Sequence, residues 1–525
     1  MTKVLIADKL SAKAARIFTA RGIEADVRTD LTPEQFAAVI GDYDGLAVRS
    51  STQVTADVMA HAKRLKIVGR AGIGVDNIDV PAATARGVVV MNTPHGNSVT
   101  TAEHALALLF ALARQIPSAD RSTQAGKWEK SRFMGVELTG KTLGVIGCGN
   151  IGSIVADRAL GLKMKVIGYD PYLSPERAAV LGIEAVALED LFKRADFITL
   201  HVPLTDSTRG IIGAKSIALM KRGVRIINCA RGGLVVEDEL KAALDDGHVA
   251  GAALDVFSVE PAKTNSLFGH PNVVATPHLG ASTAEAQENV AVQIAEQMSD
   301  FLLTGAVTSA VNMPSVSAED AVKLRPYMML AGQVGSLVGQ LVQSGLKSAT
   351  VEYAGHVAEL NTRPLTAMLL QGLLTPLLDA VNMVNAPVIA RSRGIEVKEV
   401  VRDQDENYQT LVSLTVETAD GRQSVAGTLF GGGRPRIVRI EDIPVEAEIM
   451  PHMVYIRNQD TPGTIGRIGT LLGESGVNIA TFNLGRQAKG GGALALLGVD
   501  ERMSDDALTR LRALPGIVQA RLLSF

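Results

Sequence analysis

Short apolar runs alternate with longer amphipathic stretches through roughly the first three hundred residues. The runs are bounded by Gly, Asp or Lys and lie at 4–7, 45–48, 66–68, 141–146, 165–169, 197–200, 224–228, 250–254 and 273–275. Runs without a polar face are typical of strands that are covered on both sides of a parallel sheet. Because helical patterns separate these runs, we predict right-handed βαβ units and an α/β fold with doubly wound sheets.

A different pattern begins at 312–317, a polar, turn-forming segment that predicts a linker. Helices are predicted around 325–346 and 364–386, and strands around 410–417 and 422–429, with a hairpin at Ala419-Asp420-Gly421. Gly431-Gly432-Gly433 is interpreted as a turn, because it lacks the strand, helix and Lys-Ser/Thr ending of a phosphate loop. The segment 315–447 is therefore predicted to be α+β. The elements of 451–525 follow the order β-α-β-β-α-β of a ferredoxin-like unit.

Two helical stretches are strongly apolar. The stretch 102–114 is apolar on nearly every face, so we expect it to be buried between layers. No charge lies between Arg325 and Lys347, a segment that contains the pair Gly335 and Gly339. One face of that helix is nevertheless polar, which favours an amphipathic helix packed against another domain or subunit over a membrane span. The polar residues of that face are Gln333, Ser336, Gln340 and Gln343.

Composition narrows the class of protein. The 52 Lys and Arg against 55 Asp and Glu leave a formal charge of −3, which argues against a protein that coats nucleic acid. Hydrophobic residues make up 46% of the chain, enough for several cores. Cys148 and Cys229 form neither a disulfide framework nor a Cys/His metal pattern, and the N-terminus has no signal-peptide pattern. We therefore expect a soluble, cytoplasmic protein without a metal.

A glycine-rich turn joins a predicted strand to a predicted helix at 147–152. In that setting Gly147 permits the tight turn, Gly149 lets the backbone approach a pyrophosphate, and Gly152 lets the helix pack close to the sheet. The helix N-terminus would then attract the phosphates. Asp170, at the end of the next strand, would bind a ribose diol and repel a 2′-phosphate, which favours NAD over NADP. The alternative is a tight turn that binds no ligand.

Three polar side chains follow later predicted strands. Arg231 lies in a glycine-flanked loop, Glu260 precedes a proline, and His278 follows one. Loops at the carboxyl ends of strands can converge on one crevice. Hydride removal from an alcohol needs a base for the hydroxyl proton, a role suited to His278, with Glu260 orienting the imidazole and Arg231 holding a substrate carboxylate. Taken singly, the three have structural alternatives as an ion-pair partner, a solvated acid and a structural histidine.

Together these motifs resemble the D-isomer-specific 2-hydroxyacid dehydrogenases, in their long form. The resemblance also rests on the segments 48–50, 69–77, 92–98 and 276–283, and the end of the chain resembles an ACT domain. It implies two Rossmann-like domains, a substrate domain at 1–98 and 283–312 and an NAD-binding domain at 99–282 inserted within it. An intervening domain at 315–447 and an ACT domain at 451–525 would follow. Closure of the crevice between the first two is expected to expel water.

The resemblance also implies roles for individual residues. Arg231, Glu260 and His278 fall on the catalytic positions. NAD-contacting positions are Ile73, Gly147, Gly149, Asn150, Ile151, Gly152, Asp170, Val202, Cys229, Ala230, Arg231, Asp255, His278, Gly280 and Ala281. Substrate-contacting positions are Arg49, Ser50, Gly72, Asn97, Arg231 and His278. Arg132 is a candidate second cation for a phosphate, reaching in from a partner subunit; a solvent-facing charge is the alternative.

The activity implied by the resemblance is NAD-dependent oxidation of D-3-phosphoglycerate to 3-phosphohydroxypyruvate, the first step of L-serine biosynthesis, by a homodimer or homotetramer. Reduction of 2-oxoglutarate is left open as a side activity. A glyoxylate or hydroxypyruvate reductase and a non-catalytic NAD-sensing binding protein are the alternatives. Arg49 and the C-terminal domains argue against the first, and the trio of Arg231, Glu260 and His278 argues against the second.

In relatives, the ACT segments that correspond to 458–463 and 476–479 bind serine between paired domains. Asn458, Asp460 and Asn478 are the candidate effector residues here. Asn458 and Thr461 depart from residues that are frequent at their positions in the family. A weakly serine-sensitive enzyme is predicted, and a dimerising module without a ligand stays open.

Overall fold

The computed structural model describes residues 2–316, 318–405, 407–431 and 433–525. Four β-sheets organise this part of the chain, and the first two are entirely parallel. None of its helices combines the length and the apolar character that crossing a bilayer would need.

The first sheet has five strands in the order β2-β1-β3-β4-β5. Separate apolar cores cover its two faces, as the fully apolar strand runs predict. Its elements are β1 (Lys3–Ile6), α1 (Ala12–Ala20), β2 (Glu24–Val27), α2 (Pro33–Val39), β3 (Gly45–Val48), α3 (Ala56–His61), β4 (Ile67–Arg70), α4 (Val80–Ala85) and β5 (Val89–Asn92).

The second sheet has seven strands in the order β12-β11-β10-β9-β6-β7-β8. The strand order reverses between β6 and β9, and a crevice opens at the carboxyl ends of strands at such a point. Its elements are α5 (Ser98–Arg114), α6 (Ile116–Gln124), β6 (Thr142–Ile146), α7 (Asn150–Gly161), β7 (Lys165–Tyr169), α8 (Pro175–Leu181), β8 (Glu184–Ala185), α9 (Leu188–Arg194), β9 (Phe197–Leu200), α10 (Ala214–Ile217), β10 (Val224–Asn228), α11 (Glu237–Asp245), β11 (Val249–Leu254) and β12 (Val273–Ala275).

Helix α12 (Ala284–Thr304) returns the chain to its first sheet. Its buried residues Val290, Ile294 and Met298 pack in one core with strands β1 and β4. Helix α5, by contrast, is only partly buried: Ala102, Leu109 and their neighbours face the second sheet, while Val99 and Phe110 are exposed. The prediction that 102–114 is buried between layers is therefore wrong for one side of that helix.

The third and fourth sheets follow residue 318. The third has the order β14-β13-β15-β16-β17-β18, and the fourth the order β20-β21-β19-β22. Their elements are α13 (Ala318–Leu341), β13 (Leu346–Gly355), α14 (Arg363–Leu374), α15 (Ala386–Ser392), β14 (Glu396–Arg402), β15 (Thr410–Thr418), β16 (Gly421–Phe430), β17 (Arg434–Ile440), β18 (Ile443–Ala447), β19 (His452–Gln459), α16 (Thr464–Glu474), β20 (Ile479–Arg486), β21 (Gly492–Val499), α17 (Asp505–Arg512) and β22 (Ile517–Ser524).

The fold class predicted from the sequence is confirmed, and some boundaries are corrected. The hairpin at 419–421 and the β-α-β-β-α-β order of the last unit are present. The helix predicted at 364–386 ends at Leu374, and 375–385 is irregular before α15 begins. The helix predicted around 325–346 runs over Ala318–Leu341, so it begins and ends earlier than predicted. Gly432 of the predicted glycine turn and Ser317 of the predicted linker lie outside the described residues.

The small-residue pair of α13 packs against a helix of the same unit. A Cβ atom at Gly335 would lie 2.1 Å from the Leu369 carbonyl oxygen, and one at Gly339 would lie 2.3 Å from that of Leu373. The backbones of α13 and α14 are thus in direct contact. The polar face of α13 supplies a further contact, because the Gln340 amide exchanges two 2.9 Å hydrogen bonds with the backbone of Ser524 in β22.

The loop 380–385 docks on the first sheet. Asn382 Nδ2 donates to the Gly87 carbonyl oxygen at 3.0 Å, and Asn385 Nδ2 to that of Ala85 at 3.3 Å. Val384 is buried in the core between α1, α12 and the first sheet. A Cβ at Gly87 would lie 1.7 Å from Asn382 Nδ2. The contact therefore has no room for a side chain at position 87.

We expect Gly87→Ala to destabilise the protein more than the matched control Gly22→Ala. Both glycines follow a helix with positive φ, +72° and +77°, but a Cβ at Gly22 would meet nothing within 4 Å. The control should lose only about 1–2 kcal/mol of stability, because alanine at positive φ introduces backbone strain. Gly87→Ala should lose about 1–3 kcal/mol more through overlap with Asn382. Chemical denaturation should show this gap, with faster amide exchange at 380–392 in Gly87→Ala alone. Equal destabilisation and exchange would contradict the docking role.

Candidate active site

Three neighbouring strands bring the predicted catalytic loops to one edge of the second sheet. Asn228, the last residue of β10, pairs with Leu254 of β11, which pairs in turn with Ala275 of β12. Parallel strands lie about 4.8 Å apart. The loops that carry Arg231, Glu260 and His278 therefore leave the sheet side by side.

His278 and Glu260 form a direct hydrogen bond. His278 Nδ1 lies 2.7 Å from Glu260 Oε2, and Glu260 Oε1 accepts from the backbone N–H of Phe257 at 3.0 Å. An ionised carboxylate only accepts, so this geometry assigns the proton to Nδ1 and leaves the Nε2 lone pair free. Half of the His278 side chain is exposed. Nε2 is therefore available as a proton acceptor.

Glu260 is held in its charged form. Partial burial raises the pKa of this carboxyl, but the hydrogen bonds from His278 and the Phe257 N–H outweigh burial, so the pKa lies below its usual range. The group therefore stays ionised at neutral pH and can stabilise positive charge that develops on the imidazole.

A buried carboxylate shapes the loop of the histidine. Asp255 has no exposed surface, and its oxygens accept from Leu279 N–H at 2.7 Å, Gly280 N–H at 2.8 Å and the Thr276 hydroxyl at 2.6 Å. Its own carbonyl oxygen accepts from His278 N–H. Burial raises the Asp255 pKa, but hydrogen bonds with His104, the Thr276 hydroxyl and the Leu279 N–H outweigh burial and hold the pKa below its usual range. Contact between Asp255 and a cofactor stays a prediction; the hydrogen bonds give it a loop-holding role.

Arg231 reaches from the second sheet to the first. The buried Asn228 amide fixes its loop, donating to Arg231 O and accepting from Ala230 N–H. Arg231 Nε then pairs with Asp76 Oδ2 at 3.0 Å. A Cβ at Gly74 would lie 1.8 Å from Arg231 Nη2. The segment that contains Gly74, one of the motif segments at 69–77, thus packs against this guanidinium.

Arg70 is a further cation at this place, within the segment 69–77, for which the sequence motifs predict no role. Arg70 ends β4, beside Arg49, which directly follows β3. Arg70 Nε is buried and has no hydrogen-bond partner among the described residues. Burial, then the positive charges of Arg231 and Arg49, lower the pKa of Arg70 to about 10. Arg70 remains charged at neutral pH, so three cations, Arg49, Arg70 and Arg231, lie close together here. The only sequence signal for a role of Arg70 was its position close to the end of a predicted strand.

The remaining substrate candidates lie around the same edge of the first sheet. Arg49 and exposed Ser50 belong to a loop held by the Asp8 carboxylate. The Gly72 carbonyl accepts from Thr93 N–H. Asn97 precedes α5, is buried, and its Oδ1 has no partner in the described part of the chain. An unpartnered buried oxygen fits a position that a bound ligand would satisfy.

The glycine turn at 147–152 has the geometry that a pyrophosphate requires. Gly147 has φ +92°, and a Cβ there would lie 2.5 Å from the His201 carbonyl oxygen. A Cβ at Gly152 would lie 1.9 Å from Gly147 O, whereas one at Gly149 would meet nothing within 4 Å. No side chain caps the N-terminus of α7, so its N–H groups are free for an anion. The open space at Gly149 adjoins this free helix N-terminus, where phosphates would bind.

Asp170 stands at the end of β7, as the ribose role requires. Its two oxygens each accept one backbone N–H, from Cys148 and Tyr172, both at 2.9 Å. Lone pairs remain for hydroxyl donors. Cys148 of the turn and Cys229, which follows β10, are both buried. Burial, with Asp170 nearby, raises the pKa of Cys148 to about 12, and burial raises that of Cys229. Neither thiol is a nucleophile at neutral pH.

The other predicted cofactor positions surround the crevice. Val202 follows β9 and would touch a side chain at Gly147, and Asn150 Nδ2 donates to the Pro94 carbonyl oxygen. The Ile73 carbonyl accepts from Asn92 Nδ2 at 2.6 Å. Ile151, Ala230, Gly280 and Ala281 lie in the turn or in the loops already described. Their contacts with a cofactor stay predictions. No metal-binding group of acidic, His and Cys side chains occurs among the described residues.

The structure gives Arg132 a local partner. Its Nη1 bonds Glu129 Oε2 at 3.0 Å, its guanidinium stacks over Phe133, and 61% of its side chain is exposed. Within one chain it is therefore a surface ion pair. A contribution to the site of another subunit stays a prediction.

One chain does not bring the three effector candidates together. Asn458 and Asp460 lie at the carboxyl end of β19, where Asp460 Oδ2 accepts from Arg486 and from Gly490 N–H, each at 3.1 Å. Asn478 bonds Asp500 beyond the carboxyl end of β21, which runs antiparallel to β19. The candidates thus occupy opposite ends of the sheet. A serine site made of all three would need two copies.

Comparisons with known proteins cover the whole chain. Residues 106–280 match the family model "D-isomer specific 2-hydroxyacid dehydrogenase, NAD binding domain", 323–441 match "D-3-phosphoglycerate dehydrogenase intervening domain", and 452–516 match "ACT domain". The D-3-phosphoglycerate dehydrogenase of Bacillus subtilis is 42% identical over 100% of this chain and 99% of its own length. That of Methanocaldococcus jannaschii is 43% identical over 98% of each.

Solved structures resemble the first part of the chain. A glyoxylate reductase from Paecilomyes thermophila has a TM-score of 0.56 and 29% identity, covering 59% of this chain and 98% of its own. A D-lactate dehydrogenase from Aquifex aeolicus, complexed with NAD and lactic acid, has a TM-score of 0.52 and 26% identity, covering 60% and 100%.

Proposed function

Because this chain belongs to the D-3-phosphoglycerate dehydrogenase family, within the D-isomer-specific 2-hydroxyacid dehydrogenases, we infer that it oxidises D-3-phosphoglycerate to 3-phosphohydroxypyruvate with NAD. It is an NAD-dependent oxidoreductase, and its reaction opens the route to L-serine. The proposed chemistry is supported chiefly by the hydrogen bond of 2.7 Å between His278 and Glu260, whose loops follow strands adjacent to the one that precedes Arg231.

The residues present fit NAD. The free N-terminus of α7 and the open space at Gly149 would hold the pyrophosphate, and Asp170 would hold the ribose hydroxyls. When bound, the nicotinamide supplies the two-electron acceptor for the hydride that leaves C2 of the substrate. A 2′-phosphate would be repelled by the Asp170 carboxylate, which accounts for NAD rather than NADP.

His278 takes the proton in this proposal. Its free Nε2 accepts the hydrogen of the C2 hydroxyl as the C2–H bond breaks, and Glu260 stabilises the imidazolium that forms. General-base catalysis of this kind contributes about 10²–10⁴ in rate. In the reverse direction the same nitrogen returns the proton to the carbonyl oxygen.

The cations would hold the two anionic ends of the substrate. Arg231 is placed to bind the C1 carboxylate with charge-assisted hydrogen bonds and to polarise C2–O. Arg49 and Arg70, at the ends of neighbouring strands, would bind the phosphate. A buried guanidinium without a partner is costly, so an anionic ligand is the group that Arg70 lacks.

The division into domains remains our proposal: a substrate domain at 1–98 and 283–312, an NAD-binding domain at 99–282, an intervening domain at 315–447 and an ACT domain at 451–525. The two parallel sheets, with α12 on the first, support the first two. We also propose a homodimer or homotetramer in the cytoplasm. The exposed apolar Val99 and Phe110 of α5 support self-association, and a partner's Arg132 would then complete the phosphate site.

The enzyme should prefer phosphorylated substrates, and this preference should depend on Arg49. We expect kcat/KM for D-3-phosphoglycerate, measured by NADH absorbance, to exceed that for D-glycerate by about 100-fold or more, because each charge-assisted contact contributes about 1.5–3 kcal/mol. Arg49→Leu should lower this ratio at least about tenfold. Arg64→Leu is the control, since Arg64 pairs with Asp44 at the opposite end of β3. Efficient reduction of glyoxylate or hydroxypyruvate with no phosphate preference would instead identify a reductase.

We further propose weak inhibition by L-serine at paired ACT domains. Calorimetric titration of the full-length protein with L-serine should release heat and lower activity partially, and Asn478→Ala should abolish both effects by removing a polar contact. D-serine is the control for stereospecific binding. An absence of heat and of inhibition would leave the ACT unit as a module for assembly only.

A further inference from the structure

A second histidine, His104, contacts the residues that hold the loop of His278. His104, on α5, places Nε2 3.2 Å from Asp255 Oδ1 and 3.2 Å from the Thr276 hydroxyl oxygen. Its side chain is 19% exposed, and that of Asp255 is fully buried. Neither the proton transfer nor the substrate contacts proposed above use His104.

The partners of His104 require a proton on Nε2. The Thr276 hydroxyl donates its own hydrogen to Asp255 Oδ1 at 2.6 Å, so its oxygen is an acceptor for a third group. The Asp255 carboxylate also only accepts. An Nε2–H shared by these two oxygens satisfies both, and an Nε2 lone pair would repel both.

Helix α5 holds the loop at two points on one face. Thr101, three residues before His104, donates from its hydroxyl to the Gly280 carbonyl oxygen at 2.9 Å. Residues three apart on a helix are neighbours. The loop 276–280 is thus tied to α5 at both ends, and α5 begins directly after Asn97, the substrate candidate with an unpartnered oxygen.

The catalytic residue in this loop needs external support. His278 has φ +55°, a left-handed conformation that a non-glycine residue adopts at a cost of about 1–2 kcal/mol. Such a conformation persists when its surroundings determine it. Asp255 provides this support. Its carboxylate accepts from the backbone N–H groups of Leu279 and Gly280, and its carbonyl oxygen accepts from the N–H of His278.

We propose that His104 is a positioning residue for the dehydrogenase reaction: its Nε2–H fixes Asp255 and Thr276, and through them sets the orientation of His278 toward Glu260 and substrate. It also offsets the charge of Asp255, which otherwise acts on Glu260 by like-charge repulsion. The proposal rests on the function inferred above and adds a residue to its machinery.

Three substitutions separate the N–H donor from the bulk of the side chain. An amide nitrogen of Gln reaches the place of Nε2, that of Asn reaches the place of Nδ1, and Leu offers no donor. We expect His104→Leu and His104→Asn to lower kcat about tenfold to 100-fold, with KM for D-3-phosphoglycerate and NAD changed less than about threefold. His104→Gln should keep kcat within about threefold of wild type.

The pH dependence of the oxidation rate is a further measurement, because a mere loss of packing at position 104 would not shift its acid limb. Without the N–H, the Asp255 charge is less offset and favours the protonated imidazole of His278. The acid limb of the oxidation rate should therefore move to higher pH in His104→Leu and stay in place in His104→Gln. Glu103→Gln is the control on the same helix, since Glu103 is exposed and pairs with Arg158.

Each outcome decides the proposal. Active fractions are measured by NADH fluorescence titration, so that misfolded protein is not counted. Wild-type kcat per active site in His104→Leu would overturn the positioning role, as would equal losses in the Leu and Gln variants with an unmoved pH limb. An inactive wild type would instead defeat the inferred function, independently of His104.

Discussion

The hydrogen bond between His278 Nδ1 and Glu260 Oε2 is the interaction on which the rest of the site depends. It assigns the proton of the imidazole, frees Nε2 for the substrate and keeps a negative charge where positive charge develops. The bond exists because three adjacent parallel strands end together and because the buried Asp255 carboxylate folds the loop 276–280 back over β11. A carboxylate with no exposed surface is tolerated there because protein donors surround it.

Charge balance across the crevice explains how two sheets form one site. The second sheet contributes a base with its acid, and the first contributes a cluster of guanidinium groups. Arg231 links the two through its ion pair with Asp76. Since Asp76 is largely exposed, that pair is weak in water, and the substrate carboxylate can replace Asp76 as the partner of Arg231. The structure is thus suited to take up an anion between the two sheets.

The parallel sheets and the cofactor turn could be predicted from the sequence because their signals are local. The turn from Gly147 to Gly152 follows a strand and opens a helix, constraints that act within a few residues, and Asp170 ends the next strand along the chain. The helix predicted at 364–386 was wrong beyond Leu374: Pro376 is a local signal that ends the helix there. The loop that follows is shaped by contacts of Asn382 and Asn385 with Gly87 and Ala85, which no local pattern indicates. Arg70 and His104 were missed as site residues for a related reason: burial without a partner and a bond to Asp255 arise only from tertiary packing.

The central claim is tested most directly by the pH dependence of kcat/KM for oxidation of D-3-phosphoglycerate in wild type and in Glu260→Gln, with substrate deuterated at C2 to confirm that hydride transfer is observed. The account predicts that Glu260→Gln loses about 100-fold or more in rate. It also predicts that the acid limb moves to lower pH, because a neutral amide no longer stabilises the imidazolium. An unchanged rate with the limb in its original place would contradict the assignment of His278 and Glu260 as the proton-accepting pair.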